Sequence, residues 1–172
     1  MNIKTYLKIF LLIILVSIGI STVYSQGTNL NDIQGTEFYF SNDSSHMSLN
    51  DRNLTLENIT FNVPEGFEED KKTTKLDLKS NNPNLEGLRG SRCTFVKDND
   101  YITYMVIYSE LSDFKFSDMT PLEGYDSNYK TISNKEGIFT FMNDTYSFTY
   151  STDNGYVQIE SNNENLISQA LI

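Results

Sequence analysis

Between positions 146 and 150 the chain alternates strictly, with Tyr146, Phe148 and Tyr150 on one parity and Ser147 and Thr149 on the other. This is the strongest constraint in the sequence, because a period of two places one aromatic and one hydroxylic face on a strand. Its neighbours extend the pattern. Ile138–Met142 is β-branched and aromatic on both parities, and Asn143-Asp144 lies between the two runs. Those two residue types accept the positive φ angles of a tight hairpin. Asp153-Asn154-Gly155 predicts the next turn, after which Val157 and Ile159 alternate with Gln158 and Glu160. Ser161 and Glu164 have capping-box spacing, and Leu166, Ile167, Ala170 and Leu171 share one side of a helix begun there. The expectation is a three-stranded antiparallel meander closed by a helix that covers one side of the sheet.

At the other end, Lys4 and Lys8 precede an apolar run from Ile9 to Ile20, and the small-residue pattern around Val23 and Ser25 follows it. This is the layout of an export signal cleaved after Ser25. Extended through Val23, the run could also serve as an uncleaved anchor of nearly spanning length. A lipoprotein would need a cysteine just after the run, and the single cysteine is Cys93. Residues 1–25 therefore read as a signal peptide or membrane anchor. The 147 residues that follow are one domain's worth of chain. The formal charge of −10 becomes −12 without Lys4 and Lys8, which disfavours nucleic acid and anionic lipid as partners. One cysteine allows no internal disulfide, so stability must come from packing, and Cys93 in RCTFV reads as a small buried hydrophobe.

Residues 26–52 are rich in Asn, Ser, Asp, Gly and Thr and read as a polar tether; the island Phe38-Tyr39-Phe40 could instead dock as an edge strand. The domain is expected from Asn53 to Ile172. Leu54 and Leu56 share one parity while Ile59, Phe61 and Val63 share the other, so a bulge or tight turn is expected near Asn58. Pro64-Glu65-Gly66 ends that strand, EEDKKTTK reads as a solvated loop, and the segment with Leu76, Leu78, Leu85 and Leu88 gives no clear periodicity. Arg92–Lys97, the turn Asp98-Asn99-Asp100 and Tyr101–Ser109 form the next hairpin, whose second strand is apolar on both faces, as in a central strand covered on two sides. Leu111, Phe114 and Met119 are candidates for the second cover, and Tyr129–Ser133 for a short strand. The class is α+β, an antiparallel sheet with a C-terminal helix packed on it.

Chemistry-bearing residues are sparse. A nucleophile needs a base, and the single His46 lies in the tether among Ser44 and Ser45. Zinc or copper would need several His or Cys ligands. Asp98 and Asp100 begin like a calcium loop, but Ile102 takes the next alternate position, so a hairpin turn explains them better than weak calcium binding. Glu65, Glu68, Glu69 and Asp70 could pair as glycosidase acids, although consecutive acids in a polar stretch are usually solvated. N-x-S/T sequons at Asn42, Asn53, Asn58 and Asn143 are candidate glycosylation sites, with Asn42 and Asn143 favoured sterically. Their number is what chance gives for 19 Asn and 34 Ser plus Thr in 172 residues. No cofactor is implied.

The segments ITFNVPEGFEED, DNDYITYMVIY and NKEGIFTF, followed by YSFTY and a terminal helix, resemble small uncharacterised exported proteins of methanogenic archaea. The resemblance covers about Asn53 to Ile172. The strand order looks like the PsbP and Mog1 type of α/β/α sandwich, a likeness of fold that implies no activity. The functional expectation is a non-enzymatic extracytoplasmic domain, secreted or anchored through its N-terminal segment, that binds a protein or envelope component. The alternative is a small-ligand carrier, or a hydrolase built on acidic residues, with a tyrosine-lined pocket.

Overall fold

Turn chemistry sets the architecture. In the computed structural model, which describes residues 38–80, 87–110, 121 and 124–172, hairpins turn at Glu57-Asn58, Ser133-Asn134 and Asn143-Asp144, with both residues of each pair at positive φ. That pairing is the primed turn whose twist matches two antiparallel strands. The twelve strands are β1 (Phe38–Phe40), β2 (Met47–Asn50), β3 (Asn53–Leu56), β4 (Ile59–Asn62), β5 (Glu68–Glu69), β6 (Leu78–Ser80), β7 (Leu88–Lys97), β8 (Asp100–Ser109), β9 (Asp126–Ile132), β10 (Lys135–Met142), β11 (Thr145–Ser151) and β12 (Gly155–Ser161). Helix α1 (Glu164–Ala170) follows.

A seven-stranded antiparallel sheet has the order β5-β7-β8-β12-β11-β10-β9; β2-β3-β4 form a second sheet, and β1-β6 a third. The C-terminal meander is present as expected, and its last strand pairs in the sheet centre with β8, Gly155 opposite Tyr108 and Ser161 opposite Ile102. Glycine is required there. A Cβ on Gly155 would lie 2.1 Å from the Ile107 carbonyl oxygen, closer than any side chain tolerates.

One face of the large sheet carries the core. Tyr104, Phe148, Val157 and Ile159 pack with Leu54, Leu56 and Phe61 of the three-stranded sheet and with Leu166, Ile167 and Ala170 of α1. The predicted helix face is thus the buried one. The aromatic parity of β11 also points inward, with Phe148 and Tyr150 buried and Tyr146 packed against the core. The opposite face of the sheet is buried too, at Thr103, Met105, Ile107, Tyr156 and Gln158, none of which belongs to that core cluster. Both faces of β8 are covered, as its composition predicts.

Three expectations change. The packed unit begins at Phe38 rather than near Asn53: the Phe38-Tyr39-Phe40 island docks as a strand, the stated alternative to a tether, with β1 paired to β6, and β2 pairs with β3, so residues 38–50 are part of the fold. The backbone groups of this polar stretch find partners on existing sheet edges, which composition does not reveal. Next, the cap of α1 is Asn163, whose side chain accepts from the Asn165 N–H, not Ser161. Ser161 stays in β12 and its hydroxyl donates to the Tyr101 carbonyl at 2.5 Å. Finally, EEDKKTTK is not wholly loop, because Glu68–Glu69 form β5 against β7. Leu76, Leu78 and Leu88 are buried. Leu85, the candidates Leu111, Phe114 and Met119, and the segment from Met1 through Ser25 to Glu37 lie outside the described residues. Among the described residues no helix is long and apolar enough to cross a membrane.

Removing the ring of Phe148, which is fully buried, should leave a cavity at the centre of the core. Phe148→Ala is expected to lower the unfolding free energy by about 3–5 kcal/mol, read from the urea midpoint.

Candidate functional site: a buried acid–histidine cluster

The most concentrated polar chemistry among the described residues lies where residues 38–50 meet the rest of the fold. Asp43 caps a 3-10 turn, Ser44–His46, by accepting from the Ser45 N–H, and this turn aims His46 inward. Glu57 sits in the β3–β4 turn at φ 49, and its N–H donates to the His46 carbonyl at 3.0 Å. Asp77, also in the left-handed region at φ 56, leads into β6. Ser91 reaches the same point from β7.

These side chains engage one another almost completely. His46 Nδ1 is 2.9 Å from Glu57 Oε2, and its Nε2 is 3.8 Å from Asp77 Oδ1. Ser91 Oγ donates to Glu57 Oε1 and accepts from the Asp77 N–H at 3.0 Å. Lys79 Nζ and Ser41 Oγ both donate to Asp77 Oδ2, the former at 2.8 Å. The Glu57 and Asp77 side chains are 2% and 6% exposed, so both carboxyl groups take their hydrogen bonds from these partners rather than from solvent. His46 is 25% exposed and open on one side.

The charges are mutually sustaining. The hydrogen bond to Glu57 raises the His46 pKa above its ordinary 6.5, against a smaller opposing effect of burial, and the Asp77 charge adds to the rise. Burial pushes Asp77 up, but the hydrogen bonds from Lys79 and Ser41 outweigh it and leave its carboxyl below the ordinary value. The Tyr108 hydroxyl, which also bonds to Glu57, is pushed up to about 12 by burial and by that carboxylate, so it stays protonated.

Chemically, this is a clamp. His46 faces a carboxylate on each ring nitrogen, Glu57 at 2.9 Å and Asp77 at 3.8 Å, and Ser91 gives its proton to Glu57, not to His46. The serine–histidine–acid order of a nucleophilic triad is not assembled. Among the described residues no group of three or more His, Cys, Asp or Glu side chains is arranged to hold a metal ion. Cys93 is buried, and burial pushes its thiol well up, away from the reactive thiolate.

The other sequence candidates lie elsewhere, and three of them, Glu65, Asp98 and Asp100, line one groove. Asp98 and Asp100 belong to the β7–β8 turn, where Asn163 donates to Asp100 Oδ2 at 3.3 Å and Asn162 to the Asn99 carbonyl at 2.8 Å. They rim a groove of about 480 Å³ with Glu65, Phe67 and Leu166. Glu68 and Glu69 are in β5, and Asp70 accepts from Lys72 and Thr73 in the following turn. A second groove of about 330 Å³ is lined by Lys135, Tyr150 and the C-terminal Leu171 and Ile172. Asn42, Asn53, Asn58 and Asn143 are all exposed, so the steric preference for Asn42 and Asn143 disappears. Sequence reasoning placed His46 in a tether and gave it no partner, whereas the structure packs it against Glu57 and Asp77. The one available signal was Asp77 standing alone between Leu76 and Leu78, an acid in an otherwise apolar triplet.

No family model, curated protein or solved structure matches the chain.

The raised His46 pKa fixes the sign of a pH effect. Its pairing stabilises the fold fully below 6.5 and ceases to do so as pH rises through the folded value. Thermal melts should therefore show His46→Gln furthest below the wild type in mildly acidic buffer, the two converging in alkali; a gap that widens with pH would contradict the pairing. Millimolar calcium should leave the wild-type melting temperature unchanged, a direct check on the Asp98 turn.

Proposed function

We infer that the chain is an exported, non-enzymatic domain, secreted or held at the cell surface by its N-terminal segment, that binds a protein or an envelope component. One observation carries this reading: in the densest polar cluster among the described residues, His46, Ser91, Glu57 and Asp77 bond to each other, and none of the four lines either groove. Export rests on Lys4, Lys8 and the apolar run from Ile9 to Ile20. The exposure of Asn42, Asn53, Asn58 and Asn143 is compatible with glycans on such a protein. The charge of −10 argues against nucleic acid.

The finer fold assignment, a sandwich of the PsbP and Mog1 type, is part of the same proposal. It is supported by an antiparallel sheet that has a helix on one face and is buried on the other. Kinship with small exported proteins of methanogenic archaea rests on the sequence segments alone.

A second reading has one observation in its favour. Two buried carboxylates flank a partly exposed histidine, the kind of constellation an acid-based hydrolase or a small-ligand carrier could use. Tyr150 lines a groove, as that reading expects, but Glu57 and Asp77 do not. The full chain, assayed against glycan, peptide and ester panels, is expected to show no turnover. Turnover abolished by Glu57→Gln or Asp77→Asn would replace the first reading with the second. Cross-linking in the native envelope should instead recover a defined partner.

A further inference from the structure

Residues 38–50 are attached to the fold in an unusual way. Their backbone pairs at two places, β1 with β6 and β2 with β3, while from Tyr39 to Asn50 no apolar side chain is fully buried and only Phe40 and Met47 are half-buried. Ser48, Leu49 and Asn50 are exposed, Tyr39 is 52% exposed, and the 3-10 turn has no buried residue. Of the side chains in β2, only Met47 packs against the core. From Tyr39 to Asn50 the hydrophobic effect therefore acts mainly through two half-buried side chains, and the polar contacts of Ser41 and His46 add to it.

We propose that residues 38–50 form a releasable strap whose latch is His46 lodged between Glu57 and Asp77, so that the charge on one imidazole decides whether the strap is docked or free. The geometry is one-sided. His46 is the strap's only ionisable contact with two nearly inaccessible carboxylates, and both belong to the body of the fold. When the imidazole is a cation, each ring nitrogen presents an N–H to a carboxylate. When it is neutral, one nitrogen becomes a lone pair, and either Glu57 or Asp77 faces that lone pair in place of an N–H.

The surrounding charges sharpen this effect. Lys79 of β6 stays on Asp77, and Ser91 of β7 and Tyr108 of β8 stay on Glu57, whatever the state of His46. Asp43, on the strap itself, adds a further negative charge near the ring, and Arg89 of β7 lies near Lys79. On release Lys79, Ser91 and Tyr108 remain on the two carboxylates, Asp77 exchanges the Ser41 hydroxyl and the Glu57 N–H exchanges the His46 carbonyl for water, and the strap loses its charged contact. Because the pairing raises the His46 pKa, docking is complete below 6.5 and weakens as pH climbs through the folded value. Asp77 sets the opposite limit, its contribution lasting above the ordinary carboxylate value and failing only as pH falls through its depressed folded value. Released, thirteen residues could extend about 43 Å, lengthening the connection between residue 37 and the body of the domain.

Amide hydrogen exchange of the full chain, corrected for intrinsic rates and compared at pH about 5.5 and about 8.5, tests the latch. The expected result is a several-fold loss of protection at the higher pH confined to residues 38–50, with β7, β8 and β12 unchanged. His46→Gln should leave 38–50 as open at the lower pH as the wild type is at the higher one. Asp77→Asn, which keeps His46 on Glu57, should shrink the pH response without abolishing it. Equal protection of 38–50 at both pH values, a full response retained in both variants, or a loss that spreads to β7, β8 and β12 would each overturn the proposal. Strong protection of β7 and β8 in the variants shows that they are folded, so a negative result is readable.

Discussion

Tyr104 joins the two sheets. Its ring lies 5.1 Å from that of Phe61 on the small sheet and 5.9 Å, edge-on, from that of Phe95 on the large one. Its hydroxyl crosses the interface to the Asn62 carbonyl at 2.7 Å. A tyrosine fully buried between layers contributes a large apolar area only if its hydroxyl finds a partner, and here the partner sits on the opposite layer. The three-stranded sheet is therefore fixed in place as well as packed. With Cys93 unpaired, no covalent link shares this task. The alignment of the two sheets, and with it the position of Glu57 at the tip of the β3–β4 turn, follows from that one side chain.

The centre of the large sheet depends on distant parts of the chain. Strand β8 pairs on one side with β7, its immediate predecessor, and on the other with β12, the last strand. Gly155 opposite Tyr108 means that the ladder closes across nearly fifty residues, and loop-closure entropy must be overcome before the pairing is rewarded. The β7–β8 hairpin can form early because Asp98, at φ 54, turns it locally. Asn162 and Asn163 then bind the Asn99 carbonyl and the Asp100 carboxylate, securing the beginning of α1 to that same hairpin. Asp100, one of the acids that resemble the start of a calcium loop, thus has a structural use: it ties the start of the helix to the hairpin.

What the sequence disclosed, and what it hid, follows from range. The meander was legible because alternation in TYSFTY and a turn at Asn143-Asp144 are local properties that survive whatever packs on them. The phase change at Asn58 announced the β3–β4 turn for the same reason. β1 and β6 were not legible as a pair, because FYF and LKS are too short to show a period and each is a strand only in the presence of the other. The capping box failed at Ser161 because the helix begins two residues later: Ser161 stays in β12, donating to the Tyr101 carbonyl and accepting from the Asn163 N–H, and Asn163 caps the helix. The acid–histidine cluster was the least legible part. Its members come from a polar stretch, a turn, a strand entrance and a central strand, and no spacing links them.

That cluster also answers a question of register. A strand with one buried face is held in register because a slip by one residue exposes every apolar side chain, but β2, with three of its four residues exposed, has almost no such penalty. Something else must distinguish Met47 opposite Leu56 from its neighbours in the ladder. The Asp43-capped turn delivers His46 to a point where Nδ1 meets Glu57, and a shift by one position would carry the imidazole away from both carboxylates. Polar groups buried in this way add specificity more than stability, since apolar replacements would hold the segment as well but in several registers. A segment aligned by charge rather than by greasy packing is aligned only while the charge persists, so the feature that gives residues 38–50 a unique place in the fold also makes that place conditional on protonation.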